Sequence, residues 1–139
     1  MMSLDRFVSA QEYCYKNALE EVKSGRKESH WMWFVFPQII GLGMSDTAIL
    51  YSITDIGEAQ LFLEHEVLGP RLVEITKELL KLETDDPVEV FGEVDALKLN
   101  SCMTLFDYVS DEETCFNEVI DKFYDGQKDD RTLQLIKRL

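Results

Sequence analysis

Apolar residues recur at helical spacing along most of the chain, with polar residues between them. One series near the N-terminus consists of Ala10, Cys14, Ala18 and Val22, and a second in the middle consists of Leu72, Ile75, Leu79 and Leu82. Such spacing is typical of a helix that buries one face and exposes the other. No pair of alternating Val- and Ile-rich runs predicts a β-hairpin.

Residues that favour helix ends separate these series. Ser9 and Glu12 have the spacing of a capping box and Gly25 follows the last apolar position, so the first helix is predicted at about residues 9 to 24. Further N-terminal caps are predicted at Ser45, Asp55, Asp95 and Asp130. With 139 residues, 45% of them hydrophobic, the chain can form one sizeable core. The sequence therefore predicts an all-α fold, a compact multihelical bundle of about seven or eight helices in which residues 1–139 form a single domain.

Two segments are too apolar to lie outside the core. Residues 31–37 are seven apolar residues in line, for which we expect a short buried helix that begins at Ser29 and stops at Pro37. The second segment follows Asp95 and is expected to be the central helix, with an apolar face formed by Leu97, Leu99, Cys102, Met103, Leu105 and Phe106.

The charge balance limits the partners. The formal net charge is -13, which repels nucleic acids and anionic membrane surfaces. A small anionic ligand is compatible with this net charge, because one lysine or arginine in a cleft outweighs the distant charges at short range. The N-terminus lacks the pattern of a signal peptide, and no apolar run approaches the roughly 20 residues of a spanning helix. We therefore expect a cytoplasmic protein that binds neither membrane nor nucleic acid; its oligomeric state stays open, with a monomer slightly favoured.

Metal and thiol chemistry find little support in the sequence. The three cysteines, Cys14, Cys102 and Cys115, are odd in number and widely spaced, which predicts buried or half-buried free thiols. His30 and His65 are the only histidines, and neither belongs to a ligand pattern for zinc or iron. The sequence predicts no metal site and no cofactor.

Eight polar or aromatic residues within or near the apolar segments are candidates for ligand binding. A helical core needs fewer polar groups than these segments carry, and a buried polar group must pair with protein, water or a ligand. Each candidate also has a structural alternative, such as core packing for the tryptophans or an ion pair between the aspartate and the lysine. We expect His30, Trp31 or Trp33 to share a pocket with Lys98 or Ser101 near residues 41–45. The full set of candidates is His30, Trp31, Trp33, Gln38, Arg71, Asp95, Lys98 and Ser101.

Several stretches of the chain resemble a bacterial family, the domain of unknown function eighteen-ten, sometimes labelled calpastatin-like. The resemblance rests above all on the run from Ser29 to Gln38, and it continues through residues 41–45, 68–72 and 98–106. It implies a small multihelical domain and no established activity. Calpastatin-type inhibitors are extended polar chains, whereas this composition predicts a chain that folds alone, so the label implies little here.

Two classes of function stay open on the sequence. The first is a domain that binds a small molecule or nucleotide derivative in a polar and aromatic pocket. Such a domain could also be a hydrolase, and the sequence assigns no catalytic residue to it. The second is an acidic protein-interaction module without catalysis. Convergence of the candidate side chains on one cleft would favour the first.

Overall fold

A computed structural model describes residues 3–138, and within that range the protein is all-α, as predicted. None of these helices is both long enough and apolar enough to cross a membrane. In chain order the eight helices are α1 (Asp5–Ser24), α2 (Met32–Val35), α3 (Asp46–Leu50), α4 (Ile56–Glu64), α5 (Leu68–Leu80), α6 (Pro87–Val109), α7 (Cys115–Tyr124) and α8 (Asp130–Arg138).

Helix α6 is the centre of the bundle, and α4, α7 and α8 pack against it. Helix α5 packs against α1, α4 and α7, and α2 packs against α1. A row of buried aromatic rings connects α1, α4, α6 and α7. Phe62 of α4 lies 5.3 Å, centroid to centroid, from Phe7 of α1 and 5.3 Å from Phe106 of α6, and Phe106 is followed by Phe116 of α7 at 6.0 Å. Rings at these separations attract one another beyond the burial of their area.

The apolar run forms the short buried helix that the sequence predicts. Trp31 and Phe36, at its two ends, have no exposed surface, while Trp33 is half-buried. After Pro37 the chain is held by a parallel β-bridge between Ile39 and Ile53, whose amide donates to the Gln38 carbonyl at 2.8 Å. This bridge fixes the backbone on the C-terminal side of α2.

The Glu21 carboxylate holds the N-terminal side of the run. It accepts hydrogen bonds from the amides of Glu28 and Ser29 at 2.7 and 2.9 Å, from the Ser29 hydroxyl, and from the Trp31 indole N–H at 2.9 Å. Burial alone would raise the pKa of Glu21, but the bonds from Ser29, Glu28 and Trp31 outweigh burial and lower that pKa to about 2. The prediction that α2 begins with Ser29 as its cap is therefore wrong, because the amide and hydroxyl of Ser29 both bond to Glu21.

Among the predicted caps, those at Ser45 and Asp55 are right and those at Ser9 and Asp95 are wrong. Ser45 and Asp55 accept bonds from Ala48 and Glu58 amides, at 3.1 and 2.8 Å, and so cap α3 and α4. Ser9 instead lies inside α1, which begins at Asp5, because burial of Phe7 extends the helix toward the N-terminus. Asp95 lies inside α6, and its carboxylate is occupied by two lysines.

Glycines are required where the backbone turns sharply or approaches another element. Gly92 has φ +81° and breaks the helical path within α6. Gly69, at the start of α5, lies against the end of α4, where an added Cβ would stand 2.0 Å from the Leu63 carbonyl oxygen. Only glycine fits there without a shift of one helix.

Glu21→Gln is predicted to lower the free energy of unfolding by about 1–3 kcal/mol at neutral pH, because the amide cannot accept all four hydrogen bonds. The folded pKa of Glu21 lies below its ordinary value of 4.5, so this contribution is present above about pH 4.5 and is lost as the pH falls toward 2. Denaturant unfolding across that range measures both effects.

Glu20→Gln is the matched control, since Glu20 is an exposed neighbour on the same helix. It should change stability by no more than about 0.5 kcal/mol. Equal stability of the two variants at neutral pH would contradict the role assigned to Glu21.

Gly69→Ala is predicted to destabilise the protein by about 3 kcal/mol or more, because the methyl group overlaps backbone that belongs to another helix. Gly57→Ala, in the first turn of α4, should stay within about 1 kcal/mol of the natural protein, since alanine favours helix there. Thermal unfolding of the two variants measures the difference. An unchanged melting temperature for Gly69→Ala would contradict the close approach of Gly69 to the Leu63 carbonyl.

Candidate functional site

Two neighbouring cavities lie beside α2 and share Trp33 and Lys98 in their walls. The larger, which we call the Trp33 cleft, has a volume of about 300 Å³ and the smaller, the Lys27 cavity, about 90 Å³. The Trp33 cleft is lined by Trp33, Gln38, Leu42, Gly43, Val94, Leu97, Lys98, Ser101, Asp129 and Arg131. The Lys27 cavity is lined by Lys27, His30, Met32, Trp33, Asp95 and Lys98.

One face of α6 forms a wall of the Trp33 cleft. Leu97 and Lys98 each lie three or four positions from both Val94 and Ser101, so the four residues lie on the same side of the helix. The prediction that Leu97 belongs to the core is wrong, since it is 72% exposed. The buried face is the adjacent one, which carries Leu99 and Phe106.

A group of charges surrounds the wall that the two cavities share. The Lys98 ammonium lies 3.7 Å from the centroid of the Trp33 ring, within the range of a cation–π interaction, and 3.4 Å from Asp95 Oδ1. Lys27 Nζ lies 2.9 Å from the other oxygen, Asp95 Oδ2. A single carboxylate thus serves two lysines.

Gln38 presents a carboxamide to the Trp33 cleft. The residue is only 8% exposed, yet within residues 3–138 its side chain makes no hydrogen bond. The other buried glutamine, Gln11, is 2% exposed and is paired at both ends: its Nε2 donates to the Phe34 carbonyl at 2.8 Å, and its Oε1 accepts from Arg71 at 3.4 Å.

Sequence reasoning missed Asp129 and Arg131, which line the far side of the cleft. Asp129, and not Asp130 as predicted, caps α8: its Oδ2 accepts from the Thr132 amide at 3.0 Å and the Thr132 hydroxyl at 2.5 Å. The same oxygen lies 3.1 Å from Ser101 Oγ. No local sequence pattern indicates that the turn before α8 packs against α6, so the contact between Asp129 and Ser101 is seen only in the tertiary structure.

The other candidates lie at different depths. His30 is exposed at the rim of the Lys27 cavity. Trp31 is fully buried, with its indole N–H bonded to Glu21, and so serves the core. Arg71 lies outside both cavities, on α5, where its guanidinium is 5.0 Å from the Tyr15 ring. The structure thus brings six of the eight candidates together around the two cavities: His30, Trp33, Gln38, Asp95, Lys98 and Ser101.

Two larger cavities lie elsewhere and have a different chemistry. One, of about 860 Å³, is lined by the start of the chain and α4, and the other, of about 470 Å³, by α4, α5 and the loop before α7. Among the described residues, neither lining includes a lysine, arginine, histidine or tryptophan. The second instead collects the carboxylates of Glu64, Asp111, Glu112 and Glu113. Size alone therefore does not mark the functional site, and the convergence of different polar groups favours the Trp33 cleft.

The cysteines do not form a reactive centre. Cys102 and Cys115 are buried and Cys14 is half-buried, as predicted. Burial raises the pKa of Cys14 to about 11 and that of Cys115 to about 12, so both are protonated thiols at neutral pH. Across residues 3–138, no cluster of His, Cys, Asp and Glu side chains is placed to hold a metal ion.

Comparison with known proteins agrees with this fold. A family model described as "Protein of unknown function (DUF1810)" matches residues 1–136. The crystal structure of the conserved hypothetical protein Rv1873 from Mycobacterium tuberculosis is similar to this chain, with 46% sequence identity, a TM-score of 0.94 and 96% of each chain covered. No curated protein matches. Neither description names an activity, and the match over nearly the whole length shows that the chain belongs to the DUF1810 family of proteins of unknown function.

Proposed function

We propose that this protein binds a small molecule in the Trp33 cleft, and that nucleotide derivatives are the class to test first. The observation that carries the proposal is Gln38, a residue that is only 8% exposed and lines the cleft; its carboxamide has no hydrogen-bond partner within residues 3–138 and is reached by water from the cleft. An amide that lost its water without gaining another partner would cost about 1–3 kcal/mol. A group of this kind fits a site where water or a ligand supplies the partner.

The remaining lining suits an organic molecule with an aromatic or sugar part. The Trp33 indole offers a flat apolar surface, and Leu42, Val94 and Leu97 add apolar contacts. Ser101 and the Asp129 oxygen that does not cap α8 can bond to hydroxyl groups. The volume of about 300 Å³ is at the lower end for ligand sites, which favours a molecule no larger than a mononucleotide.

The geometry supports binding better than hydrolysis. A serine nucleophile needs a base within hydrogen-bond distance of its hydroxyl. Ser101 Oγ instead lies 3.1 Å from the Leu97 carbonyl and 3.1 Å from Asp129 Oδ2, an oxygen already bonded to Thr132. His30 makes no hydrogen bond to Ser101 and lines only the smaller cavity. We therefore assign no catalytic residue.

Protein interaction is the competing function, and the cleft mouth gives it a basis. Leu97 and Val94 of α6 are largely exposed beside the cleft, and so is Met44 of the loop between α2 and α3. A partner that covered this rim would bury apolar surface without entering the cleft. The two functions differ in whether they need Gln38: binding in the cleft uses its carboxamide, and a partner on the rim does not.

The three free thiols fit a reducing compartment, so we propose the cytoplasm as the location for either function.

Gln38→Met tests the proposal, because methionine has a similar shape and no need for a hydrogen bond. The unliganded variant should be as stable as the natural protein, or more stable by up to about 1 kcal/mol. It should lose the rise in melting temperature that binding causes in the natural protein. Thermal unfolding with a panel of nucleosides, mononucleotides and sugar phosphates measures both.

Gln11→Met is the matched control, since it removes two real hydrogen bonds from an equally buried glutamine. It should lose about 1–3 kcal/mol of stability and keep any ligand response. If no compound stabilises the natural protein, or if Gln38→Met is destabilised as much as Gln11→Met, the small-molecule proposal is wrong and the interaction function replaces it.

A further inference from the structure

We infer that the Lys27 cavity binds an anionic group, a phosphate or carboxylate, of the molecule whose remainder occupies the Trp33 cleft. The inference rests on the proposed function and adds to it the charge of the ligand. It follows from the charges, the unused donors and the size of this cavity.

The charges around the cavity do not balance. Lys27 and Lys98 have side chains that are only 9% and 20% exposed, and Asp95 is the one carboxylate that pairs with them among the described residues. Two cations and one anion leave one positive charge with little access to water. Charges that are largely withdrawn from water require a partner, so the surplus favours an anion. This surplus is notable in a chain whose formal net charge is -13.

Both lysines retain N–H groups that could bond to this anion. The Lys27 ammonium has three N–H groups; it donates one to the Ser29 carbonyl at 2.6 Å and forms an ion pair with Asp95 Oδ2 at 2.9 Å. Lys98 forms an ion pair with Asp95 Oδ1 at 3.4 Å and otherwise faces the Trp33 ring. The exposed His30 ring at the rim can add a further N–H.

The size of the cavity restricts what can enter. A volume of about 90 Å³ corresponds to about three water molecules, which is room for a phosphate or carboxylate group and too little for a nucleobase or sugar. Trp33 and Lys98 line both cavities, so a group held at Lys98 lies next to the Trp33 cleft. A ligand with an anionic end and a neutral body fits this pair of cavities.

The two tryptophans allow a direct test by NMR, because they are the only indoles in the chain. Inorganic phosphate and acetate are titrated separately into the ¹⁵N-labelled protein at low ionic strength. The Trp33 indole N–H signal should shift and saturate with at least one anion. The Trp31 signal should shift less, because that N–H is bonded to Glu21, although Lys27 Nζ lies 5.2 Å from the centroid of the Trp31 ring. A response to phosphate alone identifies a phosphate group, and a response to both identifies a general anion site.

Lys27→Met should weaken phosphate binding by about tenfold or more, as expected for the loss of a charge-assisted hydrogen bond. Lys128→Met makes the same change of charge at a lysine that pairs with its own carboxylate, Asp107, at 3.1 Å, and should bind as the natural protein does. The NMR spectrum reports whether each variant is folded. If Lys27→Met does not fold, His30→Ala at the exposed rim should still weaken binding several-fold.

The inference is overturned if neither anion gives a saturable Trp33 shift, or if Lys27→Met and Lys128→Met bind phosphate equally. Should a neutral nucleoside then stabilise the protein in a Gln38-dependent manner, the proposed function stands and only the anionic group is wrong. Loss of both responses would mean that the proposed function fails as well.

Discussion

The structure depends on a solution to one problem: how to bury a run of large apolar side chains while its backbone and indole N–H groups keep their partners. The Glu21 carboxylate solves it on the N-terminal side by accepting bonds from two amides, a hydroxyl and the Trp31 indole. The Ile39–Ile53 bridge solves it on the C-terminal side. With both ends fixed, Trp31 is fully buried, while Trp33 and Gln38 face the cleft.

The same arrangement concentrates positive charge in an acidic protein. The segment between α1 and α2 carries Lys27 to Asp95 of α6, where Lys98 already lies over the Trp33 ring. The cation–π contact and the shared carboxylate hold both lysines beside Asp95 despite their like charge. An anionic ligand would relieve that repulsion, so the local positive charge and the proposed site have one physical origin.

Local sequence patterns predicted most of the fold, because helix periodicity and caps depend on neighbours along the chain. The all-α class, the short buried helix, and the caps Ser45 and Asp55 are all confirmed. The errors arose where tertiary contacts prevail over a local signal. Ser9 has the spacing of a cap but lies within a helix extended by Phe7, and Leu97 has helical apolar spacing but faces the cleft. Asp129 and Arg131 come from a distant segment, and no local pattern indicates that they join Ser101.

The central claim is that the Gln38 carboxamide finds its partner outside the protein. A crystal structure of the natural protein, at a resolution that orders water, tests this most directly. We expect an ordered water or bound molecule about 3 Å from the Gln38 amide, with that amide pointing into the cleft. A side chain rotated to bond to a protein group, with the cleft closed by Leu42 and Leu97, would contradict it.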